Sequence, residues 1–173
     1  MPRTLTVTRS ILVKASPSSV YAEIARPARM GRWSPENLGA TVPRPDEPAQ
    51  VGLVFEGHNK RGPFRWTTRC TVIAAEPGRR FAFRVHAIGL KRPRLRAPIA
   101  TWEYRFTEQG DATRVTESWT DGRRSWPTLL ANAFDFAVTG GKTFAAFQVG
   151  NIDRTLRNLK RELETDRAPE PHS

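Results

Sequence analysis

Glu117 is the residue of this chain whose surroundings most need a chemical explanation. It lies between Val115 and Trp119 in an alternating run, so by strand parity it shares a face with apolar neighbours, where an uncompensated carboxylate is expensive to bury. Such a group pairs with another side chain, meets the polar atom of a ligand, or acts as an acid or base once desolvation raises its pKa. The plainer alternative is a carboxylate at a solvated strand end, bonded to Arg9 or to a neighbouring strand. Arg9 is the matching anomaly, the one charge in the series Val7, Arg9, Ile11, Val13. Its guanidinium can hold a carboxylate or phosphate with two parallel bonds, or it can reach past the strand end into water.

Other reactive side chains offer less. Cys70 falls on the inward parity between Thr68 and Val72, but a lone thiol with no histidine on its face has nothing to lower its pKa and reads as packing. His58 and His86 take the parity opposite the presumed interior, and His172 lies near the C-terminal end. No paired Cys/His spacing, His-Glu-x-x-His, Gly-x-Ser-x-Gly elbow or phosphate-cradling glycine loop is present, so no metal and no cofactor is implied.

The elements that must position these residues are strands. Apolar and polar residues alternate from about residue 5 to residue 120, interrupted by a helical stretch near 17–33, which predicts an antiparallel sheet of about seven strands. Pro77-Gly78, Gln109-Gly110-Asp111 and Lys60-Arg61-Gly62-Pro63 supply turn chemistry between them. Phe55, Trp66, Phe83, Trp102, Tyr104 and Trp119 share the inward parity with Glu117. Helical spacing returns at Ala145, Val149, Ile152, Leu156, Leu159 and Leu163, one long amphipathic helix. A shorter apolar segment at 126–138, with Leu129, Leu130, Phe134 and Phe136, precedes it across Gly140-Gly141, and reads as a lid over a cavity, a dimer patch or ordinary packing.

The opening of the chain narrows the fold. Ser16 can cap a helix whose first position is Pro17, Val20, Tyr21 and Ile24 then share a face, and Trp33-Ser34-Pro35 ends a second short helix. This strand, Pro-started helix and Trp-Ser-Pro stop resembles the START-like (SRPBCC) superfamily, in particular its polyketide cyclase/dehydrase and lipid-transport branch. The resemblance implies an α+β helix-grip fold: a curved antiparallel sheet wrapped around a long C-terminal helix, with two short helices after the first strand and a cavity between sheet and helix. One domain is expected over 1–164, followed by a disordered tail at 165–173. Arg26-Pro27 stands where members often carry Asp-Pro. Catalytic members commit an Arg, Tyr or Asp constellation to the pocket, and no clear set is visible here, so the resemblance does not carry an activity over.

The function it implies is binding of a small, mostly hydrophobic or amphipathic molecule, a lipid among the options, by a wall of Phe55, Trp66, Phe83, Trp102, Tyr104 and Trp119. Phe144 and Phe147 would add to that wall from the long helix, with Arg9 and Glu117 as polar anchors. An enzyme of cyclase, dehydratase or hydrolase type, with Glu117 as the catalytic acid or base, is the first alternative. Composition raises the second, a basic module for an anionic surface or nucleic acid: of 173 residues 28 are Lys or Arg and 17 Asp or Glu, a net charge of +11. The densest basic run, Lys91-Arg92-Pro93-Arg94-Leu95-Arg96, lacks aromatics for base stacking and reads as a solvated hairpin, which argues against nucleic acid and leaves peripheral contact with an anionic membrane open. One cysteine, no apolar leader and no long apolar run point to a reducing, cytoplasmic setting and a monomer or homodimer.

Overall fold

A computed structural model describes residues 3–166. The alternating runs form seven strands, β1 (Thr6–Val13), β2 (Asn37–Thr41), β3 (Val54–Arg61), β4 (Phe64–Glu76), β5 (Arg80–Gly89), β6 (Leu95–Gln109) and β7 (Ala112–Asp121). They make one antiparallel sheet in the order β1-β7-β6-β5-β4-β3-β2. Register shifts in the β4–β5 and β5–β6 pairings bend the ribbon, because an extra residue on one strand increases local twist. β6 is much longer than the alternation at Trp102, Tyr104 and Phe106 suggests. Pro98 falls within the stretch where the β5–β6 register slips, so a residue with no N–H is tolerated without ending the strand.

Between β1 and β2 come α1 (Pro17–Ile24) and a 3-10 segment, Pro27–Arg32. Ser16 caps α1 as its sequence requires, its hydroxyl accepting from the Ser19 N–H at 3.2 Å. Buried Val20, Tyr21 and Ile24 carry α1 onto the sheet, where Tyr21 meets Phe81 and Phe106 edge to face at 6.3 and 6.0 Å. β2 runs over Asn37–Thr41, starting two residues and ending three residues earlier than the chain's own pattern around 39–44 indicates. The remaining elements are α2 (Thr128–Thr139) and α3 (Phe144–Thr165). The expected tail lies outside the described residues from 167 onward, as does His172.

The apolar stripe of α3 packs chiefly on β1, with Ile152, Leu156 and Leu159 buried. A second device fixes the helices to the sheet. Arg123, just past β7, has a side chain only 3% exposed and pairs with Asp121 and with Asp135 of α2, each at 2.8 Å. The other Asp135 oxygen accepts the N–H of Phe144, the first residue of α3, at 2.9 Å. The guanidinium also lies over the Phe144 ring, 4.8 Å from its centroid. One cation thus joins β7, α2 and α3.

Leu156→Asp places a carboxylate where no partner is available and should cost several kcal/mol. Thermal melting should show a large fall in Tm; an unchanged melt would mean that the stripe does not seal the sheet.

Candidate functional site

Seven strands curve further than α3 can follow, and a cavity of about 390 Å³ remains between them. Its wall is built by cross-strand neighbours. Phe83 opposes Trp102, Trp102 opposes Trp119, and Tyr104 opposes Glu117, so period-two alternation on three adjacent strands turns these side chains to the concave face. Phe55, Trp66 and Cys70 continue the wall on β3 and β4, and Phe144 closes it from α3, its ring stacked 6.3 Å from that of Trp119.

Glu117 is 1% exposed and lies at the inner end of this cavity. The Tyr104 hydroxyl donates to its Oε1 at 2.9 Å, and Oε2 has no protein hydrogen-bond partner. Burial pushes the carboxyl up to about 8, the Tyr104 bond working weakly the other way. Burial also drives the Tyr104 phenol well above its usual range, with the Glu117 charge adding to it. At neutral pH Glu117 is therefore mostly a neutral acid, able to donate from one oxygen while accepting at the other.

Arg9 does not join it. β1 is an edge strand, and although Arg9 is the register partner of Glu117, its side chain leans past the edge into solvent. There its Nε lies 3.7 Å from Asp153 Oδ1 of α3. Long guanidinium stems take this route whenever water is within reach, so the expectation of Arg9 as a polar anchor is corrected. Phe147 is not part of the cavity lining; its ring carries the Arg61 guanidinium 3.9 Å from the centroid, a cation–π contact beside the mouth.

Residues not singled out by sequence reasoning complete the wall. Trp33, expected only as part of a helix stop, is buried edge to face against Tyr104 at 6.1 Å. From α3 come Gln148, Asn151 and Thr155, spaced three and four apart, so they form a polar strip beside the apolar one. That strip was available as a signal, since buried-face polar residues at helical spacing inside an amphipathic helix mark a surface facing something other than core. Asn151 Nδ2 donates to Gln148 Oε1 at 3.0 Å.

The cavity opens beneath α2. Phe134, Ala137 and Val138 of α2, Phe64 at the β3–β4 turn and Leu90 after β5 line its outer end, and Arg61 donates to the Val138 carbonyl at 2.7 Å. A wider depression lies over β2–β5 on the other side of the sheet, beside His86, but it is open to solvent. Its charged groups Arg69 and Glu56 satisfy each other at 2.9 Å. His86 bonds Thr71 and His58 bonds Thr41 on that side. The Cys70 thiol is pushed up to about 12 by burial, which leaves it without thiolate chemistry. Among the described residues no cluster of three or more His, Cys, Asp and Glu is placed to hold a metal.

A curled sheet gripping a C-terminal helix around a hollow defines the helix-grip, START-like class of fold. The chain belongs to the polyketide cyclase/dehydrase and lipid-transport family, whose model matches residues 4–164. It is similar over its length to the Polyketide_cyc-like protein Cgl2372 of Corynebacterium glutamicum, with 27% identity, 96% of this chain and 95% of that one covered, and a TM-score of 0.63. A START superfamily protein of Mycobacterium smegmatis shares the fold at 9% identity, covering 94% and 99%, with a TM-score of 0.66. Ginseng major latex-like protein 151 from Panax ginseng does so at 12% identity, covering 92% and 99%, with a TM-score of 0.61. No curated protein matches the chain.

The raised Glu117 pKa has a consequence for stability. Between the unfolded carboxyl value of about 4.3 and the folded value of about 8, the folded state holds the extra proton, so stability falls as pH rises through this window and levels off above it. The slope contributed is up to about 1.4 kcal/mol per pH unit. Urea midpoints measured across the window should fall for the wild type, and Glu117→Gln should remove that component. An equal slope in the variant would show Glu117 to be ionised and otherwise compensated.

Proposed function

We propose that this protein binds one small, predominantly apolar molecule in the cavity between sheet and α3. The observation that carries the reading is a hollow of about 390 Å³ walled by aromatic side chains, with the buried polar groups Glu117, Gln148, Asn151 and Thr155 among its lining, the general form of a small-molecule site. Family membership supports it. A catalytic reading has an acid in Glu117 but lacks a second group to complete a reaction: Tyr104 is a still weaker acid, the Cys70 thiol is held protonated, and His58 and His86 are on the other side of the sheet. Phenylnaphthylamine, a neutral apolar fluorophore, should bind the purified protein with enhanced emission. Ala100→Phe, which fills the cavity from β6, should abolish this. Probe binding unaffected by a folded Ala100→Phe protein, or no binding by the wild type, would sink the proposal.

The mouth suggests where such a molecule is collected. α2 leaves Leu129 85% exposed, with Leu130 and Phe136 also outward, and the neighbouring tips present Phe64 at 72% and Leu90 at 80%. Exposed Arg65, Lys91, Arg92 and Arg94 flank these tips. Apolar tips with a basic collar fit an anionic bilayer, each cation near such a surface contributing about 1 kcal/mol. The protein should cosediment with phosphatidylglycerol-containing vesicles but not with pure phosphatidylcholine, and Leu129→Asp should weaken this at unchanged fold. No binding to anionic vesicles, or a solution dimer whose dissociation requires exposing Leu129, would refute membrane contact.

A further inference from the structure

Three buried polar atoms that lack a protein partner belong to residues lining this one cavity: Trp33 Nε1, Asn151 Oδ1 and Glu117 Oε2. Their chemistry is complementary. An indole N–H can only donate and an amide oxygen can only accept, while a carboxyl oxygen accepts when ionised and donates when it carries the proton. Asn151 Nδ2 donates to Gln148 Oε1 at 3.0 Å, which leaves Oδ1 as the atom without a partner. Trp33 is held by its edge-to-face contact with Tyr104, whose hydroxyl is committed to Glu117, so indole and acid share Tyr104 as a neighbour. Buried polar groups in native proteins are almost always paired, and three orphans around one cavity point to what pairs them.

Among the described residues no cation pairs with Glu117. Arg9 is turned out to Asp153, and the cations that line the cavity are Arg61, held by Glu36 at 2.5 Å, and exposed Arg65. A carboxylate head placed here would face the amide oxygen of Asn151 and, with no cation paired to it, would have only the indole N–H and the single proton of Glu117 to offset its desolvation.

Resting on the container reading above, we infer that the occupant carries an uncharged hydroxyl head, an alcohol or phenol, whose oxygen accepts from Trp33 Nε1 or from the neutral Glu117 carboxyl and whose proton goes to Asn151 Oδ1, and that the site rejects the corresponding carboxylate. A hydroxyl is the smallest head able to donate and accept at once. An ether or ketone only accepts, and leaves the amide oxygen of Asn151 unpaired.

The test is displacement of bound phenylnaphthylamine at neutral pH by decanol, decyl methyl ether and decanoate, which share a chain and differ in the head. Decanol should displace at concentrations about tenfold or more below either of the others, the range expected when a buried polar group is left unpaired. Trp33→Phe, which keeps an aromatic ring and deletes the N–H, should lower the affinity for decanol while leaving that for the fluorophore nearly unchanged. Ether or decanoate competing as well as decanol would overturn the inference while leaving the container intact, since the fluorophore would still be bound. A wild-type protein that does not bind the fluorophore would overturn both. The comparison of three heads on the wild type stands whether or not the Trp33 variant folds.

Discussion

A single helix cannot cover a seven-stranded sheet, and most of what is distinctive here follows from that mismatch. Strands about 4.8 Å apart give seven of them a width of about 29 Å, against a helix diameter of about 10 Å. The sheet curls through its bulges to close part of the gap. α3 then takes the β1 edge and α1 covers the region of Phe81 and Phe106. Between them part of the concave face is left uncovered, and large side chains, Phe83, Trp102 and Trp119 from the sheet and Phe144 from α3, line the space without filling it. The interior of a protein is otherwise close-packed. A hollow bounded by aromatics is what geometry leaves when the covering layer is too narrow.

α2 roofs the mouth of that hollow in an unusual way. Its buried residues are Ala131 and Asp135, while Leu129, Leu130, Phe134 and Phe136 are exposed. An ordinary surface helix turns its apolar stripe inward; this one is held by charge and turns apolar side chains outward. The holding group is Arg123, whose desolvated guanidinium is satisfied by two aspartates and stacked on Phe144. Removing one partner from such a buried pair costs about 3–5 kcal/mol, because the other charge is left stranded. The ion pair, with the stacking of Phe134 on Phe144, therefore fixes the position of α2 while leaving Leu129, Leu130 and Phe136 exposed.

The fold was legible in the sequence because its two periodicities are strong and seldom overlap. Alternation at Trp102, Tyr104 and Phe106 and helical spacing at Ile152, Leu156 and Leu159 each leave one reading. Parity also placed Glu117, Trp102 and Trp119 on one wall, since a strand side chain has only two directions. It could not place Arg9, whose Cβ points to the same side as that of Glu117 but whose stem is long enough to leave at the sheet edge; position in the sheet order decides this, and strand order is a long-range property. Trp33 and Asn151 were obscured for a different reason. Trp33 comes from an irregular segment with no period to read, and Asn151 belongs to a polar strip that runs beside the apolar stripe and is easily taken for the solvated face.

The buried acid ties these features together. A leucine at position 117 would fill similar space without desolvating a carboxyl, and replacing buried ionisable groups by apolar ones is often neutral or stabilising. Glu117 is held by one hydrogen bond, from Tyr104, against a burial cost that shifts its proton affinity to about 8. Its charge state is thus set by what else reaches Oε2. A donor there favours the ionised form and an acceptor the neutral one, so by linkage whatever occupies the cavity and the proton on Glu117 must influence each other's binding by the same factor. Because no cation among the described residues pairs with the carboxylate, that coupling is carried by the occupant's head group, and the same acid that weakens the empty fold at high pH defines the polarity of the site.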